Sequence, residues 1–151
     1  MRSITLLPLL LAWLGLAPGL QAAPAKLVKV LPQRLDREGR HTLSPSLYER
    51  DAYQDHLRKH PEACSGLRFD VQWKALPGAV LLLRVEMRGA QGKDETKAVI
   101  EANVVKRGVF SKWSAATLWG DEFKKFGDLV AWRATLWDGS LMVAEQKSLL
   151  W

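Results

Sequence analysis

An antiparallel β-sandwich with one helix near its N-terminus is the fold that this sequence predicts. Three observations lead there. Leu67, Phe69, Val71 and Trp73 alternate with Arg68, Asp70, Gln72 and Lys74, the period of a half-buried strand. Further runs of β-formers follow, separated by short turn signals and not by helices, which favours a sandwich over a parallel α/β fold. Only one stretch, Ser46 to about Lys59, carries a helical period. That early helix leaves a second architecture open, a helix followed by a curled antiparallel sheet.

The N-terminus has the order of a secretory signal peptide. Arg2 supplies the positive charge, Ile4 to Leu16 the apolar run, and Leu20-Gln-Ala-Ala-Pro-Ala25 the small residues for cleavage after Ala22 or Ala25. The apolar run is too short to span a membrane. Residues 1–25 are therefore expected to be removed, leaving about 126 residues, enough for one domain with its own core. The chain is expected to be periplasmic or extracellular, with no transmembrane segment after processing. It has 22 Lys+Arg against 16 Asp+Glu, and loss of Arg2 with the leader leaves a net +5. Export argues against a nucleic-acid partner. A mild positive charge outside the cytoplasm suits anionic envelope surfaces or acidic glycans. Cys64 is the sole cysteine, so no disulfide framework staples the domain.

Residues 26–66 read as an N-terminal extension. Lys26 to Leu31 predicts a short strand stopped by Pro32, and Gln33 to Thr42, with Arg34, Asp36, Arg37, Glu38 and Arg40, an exposed connection. Ser46 with Glu49 forms a capping-box pattern, so a helix is predicted over 46–59, ended by Pro61. Tyr48 with Ala52, and Tyr53 with Leu57, give it a narrow apolar stripe.

Residues 67–151 read as the sandwich domain. Leu67 to Lys74 is its first strand, and Leu76-Pro77-Gly78 turns the chain. Strands over 79–88, 96–106 and 113–119 follow, with Arg107-Gly108 as a break. Asp138-Gly139 is the strongest hairpin signal; it joins strands over 129–137 and 140–151. A two-residue turn there pairs Trp137 with Ser140 and sets Glu145 opposite Trp132, so a bulge near Ala144 is expected. Val130, Trp132, Ala134 and Leu136 form the predicted inner face, and Leu129, Ala131, Arg133, Thr135 and Trp137 the outer one.

Gly120-Asp-Glu-Phe-Lys-Lys-Phe-Gly127 followed by Val130-Ala-Trp-Arg-Ala-Thr-Leu-Trp-Asp-Gly139 resembles the E–F corner and F–G hairpin of immunoglobulin-like or fibronectin-type-III-like sandwiches. The resemblance covers residues 67–151. The paired core cysteines of antibody domains are absent. Such folds host adhesion, assembly, sugar-binding and enzyme-accessory roles, so the fold alone does not choose among them.

Two groups of residues compete as a site. Five of the seven tryptophans lie between Trp113 and Trp151. Aromatic rings on an open sheet face stack on sugars or on a partner's side chains, so Trp113, Trp119 and Trp137, with Arg133, are candidates for binding a protein or glycan. His56, His60 and Cys64 are spaced i, i+4, i+8, which suggests a metal site or a Cys–His nucleophile pair. Against that reading, no Glu lies between the histidines, Arg58 and Lys59 oppose a cation, Pro61 breaks the helix before Cys64, and no third group orients a catalytic pair. Asp121, Glu122 and Asp128 are interspersed with Lys124 and Lys125, as in a solvated turn. The reading favoured by the residues is a non-catalytic exported binding or assembly module. The alternative is a small hydrolase or metal-binding protein using the His56/His60/Cys64 region. Nothing in the sequence calls for a cofactor.

Overall fold

The computed structural model describes residues 24–151; the predicted signal peptide lies outside the described residues except for its last two positions. The chain runs β1 (Lys26–Asp36), α1 (Leu47–Lys59), β2 (Cys64–Lys74), β3 (Val80–Gln91), β4 (Asp94–Val105), β5 (Lys112–Trp119), α2 (Gly120–Phe126), β6 (Asp128–Asp138) and β7 (Leu141–Lys147), with one 3-10 turn at Pro61–Ala63. The strands form two antiparallel sheets, ordered β1-β2-β5 and β4-β3-β6-β7. Two packed sheets make this a sandwich and set aside the single curled sheet.

Alternation fills the core as the sequence indicates. Phe69, Val71 and Trp73 of β2 and Leu83 and Val85 of β3 have no exposed surface. The Trp132 ring meets Phe69 edge-on at 6.2 Å between centroids, joining the sheets. Residues 26–66, read from sequence as an extension, supply β1 and the start of β2 to the three-stranded sheet.

Pro32 does not stop β1, which continues to Asp36. The reason is geometric. The Arg34 N–H donates to Gln54 Oε1 (2.8 Å), and Gln54 Nε2 donates to the Arg34 carbonyl (2.9 Å). Arg34 therefore turns its backbone groups away from β2. Pro32, two residues earlier, faces the same way, and its missing N–H removes no ladder bond. The Gln54 side chain acts as a one-residue strand on this edge, and α1 covers the edge without being part of the sheet.

The predicted connection after Pro32 is ordered by Asp36. Its carboxylate accepts from the backbone N–H groups of Glu38 (2.9 Å) and Arg40 (2.8 Å), from Arg40 Nε (2.8 Å) and from Tyr53 Oη (2.6 Å). Burial alone would raise this carboxyl. The bonds from Tyr53 and Arg40 outweigh it and hold the pKa down to about 2. A depressed carboxyl stabilises the fold above its unfolded pKa and loses that contribution as pH falls through the folded value. Wild type should therefore lose about 2 kcal/mol from this group between pH 5 and pH 2. Urea titrations at a series of pH values should show that part of the slope vanish in Asp36→Asn. An unchanged slope in the variant would deny Asp36 this role.

Helix α1 is capped as expected, with Ser46 Oγ accepting from the Glu49 N–H at 3.5 Å. Its stripe is narrower than the sequence suggests. Leu57 is buried and Tyr53 half-buried, but Tyr48 is 83% exposed. The corner read at 120–127 is the two-turn helix α2. Phe123 and Phe126 point inward, and Phe126 lies over Gly89, where a Cβ would meet its ring at 2.7 Å.

Two bulges alter the predicted faces. Val130 is the extra residue in the β3–β6 pairing, so it points outward and Leu129 packs inward, the reverse of the alternation read from sequence. The last turn is Gly139-Ser140, with Asp138 paired to Leu141, and not Asp138-Gly139. Gly139 has φ 57°, while no other residue type among the described residues has positive φ. A turn with positive φ only at its first central position is of the II′ kind, which wants glycine there. The expected bulge falls at Val143. It puts Glu145 opposite Thr135 on the outer face and Ala144 beside Leu136 on the inner one.

Candidate interaction surface

One end of the sandwich gathers the start of β1, the β2–β3 loop, the β4–β5 loop and the β6–β7 turn. The pairings Lys26 with Lys74, Val80 with Val105, and Gln72 with Trp113 place them together. The two loops are bonded to each other. The Gly78 N–H donates to the Lys106 carbonyl (2.9 Å), and the Lys106 N–H to that of Ala79 (2.8 Å).

Lys106 has an unusual place in this end. Its side chain is buried, and its ammonium donates to the carbonyls of Gly108 and Arg107. A buried cation spent on two backbone oxygens of its own loop fixes the path of residues 107–108. Gly108, at φ 72°, completes the turn. Lys112 Nζ donates to the Val105 carbonyl (2.8 Å), and Ser111 Oγ accepts from Gln72 Nε2 (2.9 Å), so the far side of the loop is tied as well.

The held loop carries apolar side chains outward. Val109 is 73% exposed and Phe110 85%. Leu76, Val80 and Trp113 are exposed on the same end. Single exposed apolar residues are ordinary, but several together at one end, on braced loops, form a candidate contact surface. In the sequence, Arg107-Gly108-Val-Phe-Ser111 reads only as a break between strands. The available signal was a Val-Phe pair inside a turn, where small polar residues are usual.

The four residues singled out by sequence do not form one site. Trp113 and Trp119 share the outer face of the three-stranded sheet, six residues apart on β5 and so about 20 Å from each other. Trp119 is at the opposite end of the strand, lying across Gly66 and reaching Gly39. Trp137 and Arg133 are on the outer face of the other sheet. Arg133 Nε lies 2.7 Å from Glu145 and its Nη1 3.7 Å from Glu86. The Trp137 indole N–H donates to Thr135 Oγ1 (2.9 Å), and the Arg84 guanidinium sits over its ring at 5.1 Å. Arg84 pairs in turn with Glu101 (2.6 Å). β3 brings Arg84, Glu86 and Arg88 beside β6, so the outer face that carries Trp137 and Arg133 is a ladder of paired ions.

The His56/His60/Cys64 group is split by the helix end. The two imidazoles lie 4.4 Å apart at the surface, and His60 Nδ1 is 3.0 Å from Glu62 Oε1. Cys64 points inward and donates its S–H to the Leu57 carbonyl (3.2 Å). Burial pushes its thiol pKa up, away from the thiolate that a nucleophile or ligand requires. Among the described residues no group of three His, Cys, Asp or Glu is placed to hold a metal ion. Cys64 lines a cleft of about 290 Å³ beside Arg34 and Asp128, which pair at 2.9 Å. His41 turns toward Arg68, where burial and the guanidinium charge lower its pKa. Asp121 lies 3.6 Å from Lys124 at the surface of α2. No helix of the described residues is long and apolar enough to cross a membrane.

No family model matches this chain, and neither a curated protein nor a solved structure does.

Proposed function

We propose that this chain is an exported, non-catalytic binding module of the cell envelope, and that it makes contact through the loop end of its sandwich. One observation carries the reading: Leu76, Val109 and Phe110 are exposed on two loops that are bonded to each other, the second braced by the buried Lys106, and Val80 and Trp113 are exposed at the strand ends that flank them. A braced loop presents its side chains with little ordering cost on binding. The order of the leader, Arg2 then Ile4 to Leu16 then Ala22 to Ala25, supports export. The strand order, three strands against four with β2 paired to β5 and β3 to β6, supports the fibronectin-type-III-like form of sandwich. Of the tryptophans proposed from sequence, Trp113 and Trp137 lie at this end of their strands, on opposite outer faces, with Trp137 beside Met142.

The double variant Val109→Ser, Phe110→Ser tests the reading. Both side chains are largely exposed, so the melting temperature should stay within about 2 °C of wild type. Fractionation of the source cell should find wild type with the envelope and the variant released in soluble form. Equal retention of both proteins would remove the loop end from the function.

A further inference from the structure

The contact surface proposed above has a charge pattern that names its partner. Lys26, Lys29, Lys74, Arg107 and Lys112 surround the apolar tips. Residues 71–85 and 102–120, which build the β2–β3 and β4–β5 loops and their strand ends, contain no Asp or Glu. Asp138, in the β6–β7 turn, is the carboxylate that this end carries. Several cations elsewhere pair with carboxylates, Arg84 with Glu101, Arg88 with Glu95, Arg133 with Glu145 and Arg68 with Asp70. What sets the apolar end apart is the lack of carboxylates in these two stretches. A protein interface of this polarity would need an acidic partner with an apolar pocket for each tip. A bilayer with anionic headgroups offers both properties to any two loops that project side by side.

We infer that this end docks on the surface of an anionic lipid bilayer. Val109, Phe110 and Leu76 enter the boundary between headgroups and acyl chains, and the cations lie at headgroup level. Trp113, at the rim, takes the interfacial position that suits an indole. Ammonium and guanidinium groups near such a surface are attracted over about a Debye length, so salt weakens the attachment. The described chain enters the domain at this same end, at Lys26 beside Lys74. The inference rests on the loop end being the contact surface, and it adds what that surface contacts.

The test uses the full chain and reads individual positions, so that any attachment through the leader does not decide the result. An environment-sensitive fluorophore is placed on Phe110→Cys, and separately on Lys93→Cys in the β3–β4 turn at the opposite end; the buried Cys64 is replaced by Ser in both. Vesicles contain phosphatidylcholine alone or with 30 mol % phosphatidylglycerol (about one lipid in three). With the anionic vesicles, the label at 110 should shift to the blue and be quenched several-fold by nitroxide-bearing acyl chains, while the label at 93 is unaffected. Lys74→Glu, Arg107→Glu and Lys112→Glu together should weaken vesicle binding by roughly tenfold or more, and so should about 0.5 M salt. Absence of quenching at 110 overturns the inference. If the label at 110 is shielded without vesicles and in proportion to protein concentration, the occupant is a second copy. If it is shielded in the native envelope but not on lipid, a protein partner occupies the surface; the binding reading then stands and the bilayer falls.

Discussion

Trp73→Ala should destabilise the protein by about 3–5 kcal/mol, a loss of roughly ten degrees or more in melting temperature. The ring has no exposed surface, and its neighbours on both sheets are strand residues that cannot close over the space it leaves. Its indole N–H also donates to Ser114 Oγ (3.0 Å), tying β2 to β5 beside the loop end. Removal strands that hydroxyl as well as opening a cavity. Ser114→Ala separates the two effects and should cost about 1 kcal/mol. Urea unfolding of wild type and both variants measures them. A loss below about 1 kcal/mol in Trp73→Ala would mean that the ring is not part of the packed core.

Gly127→Ala should be comparably severe, about 3–5 kcal/mol, for a backbone reason. Gly127 joins α2 to β6 at φ 76°, ψ −141°, a region that residues with a Cβ scarcely enter. An added Cβ would also run into the Ala90 carbonyl oxygen and come within 3.2 Å of the Gln91 Cα. These are backbone atoms of β3, so relief requires moving the strand. Gly92→Ala is the internal control. Gly92 also has positive φ, at 64°, but no heavy atom lies within 4 Å of its added Cβ. It should cost only about 1 kcal/mol. Equal urea midpoints for the two variants would contradict the collision with β3.

The elements that the sequence states clearly are those whose physics is local. The period-two alternation of Leu67 to Trp73 depends only on which side of one strand faces the core, and it holds to the last residue. Ser46 caps α1 for the same reason, since the cap and its N–H partner are three residues apart. What the sequence hid depends on neighbours. Pro32 ends a strand in general but not on an edge, and nothing in the sequence says that β1 is an edge until Gln54 is seen beside Arg34. Val130 looks like a core residue until a bulge against Gly89 turns it out. The outer face of β6 and β7 looks open to a partner until β3 places Arg84 and Glu86 next to Trp137 and Arg133. The loop end was hidden in the same way. Leu76 and Phe110 are more than thirty positions apart, and only the bonds between Gly78, Ala79 and Lys106 show that they project together.

If the loop end is the contact surface, residues around Phe110 are covered by a partner in the cell while the outer face of β4 remains in water. In situ thiol labelling measures this directly. In a Cys64→Ser background, Phe110→Cys and Glu101→Cys are each exposed to a membrane-impermeant maleimide, first on the purified protein and then on the intact envelope fraction. Both positions should label fully when purified, since both native side chains are exposed. In the envelope, labelling at 110 should fall by tenfold or more while labelling at 101 is unchanged. Equal labelling at the two positions in the envelope would mean that the loop end is not covered in the cell.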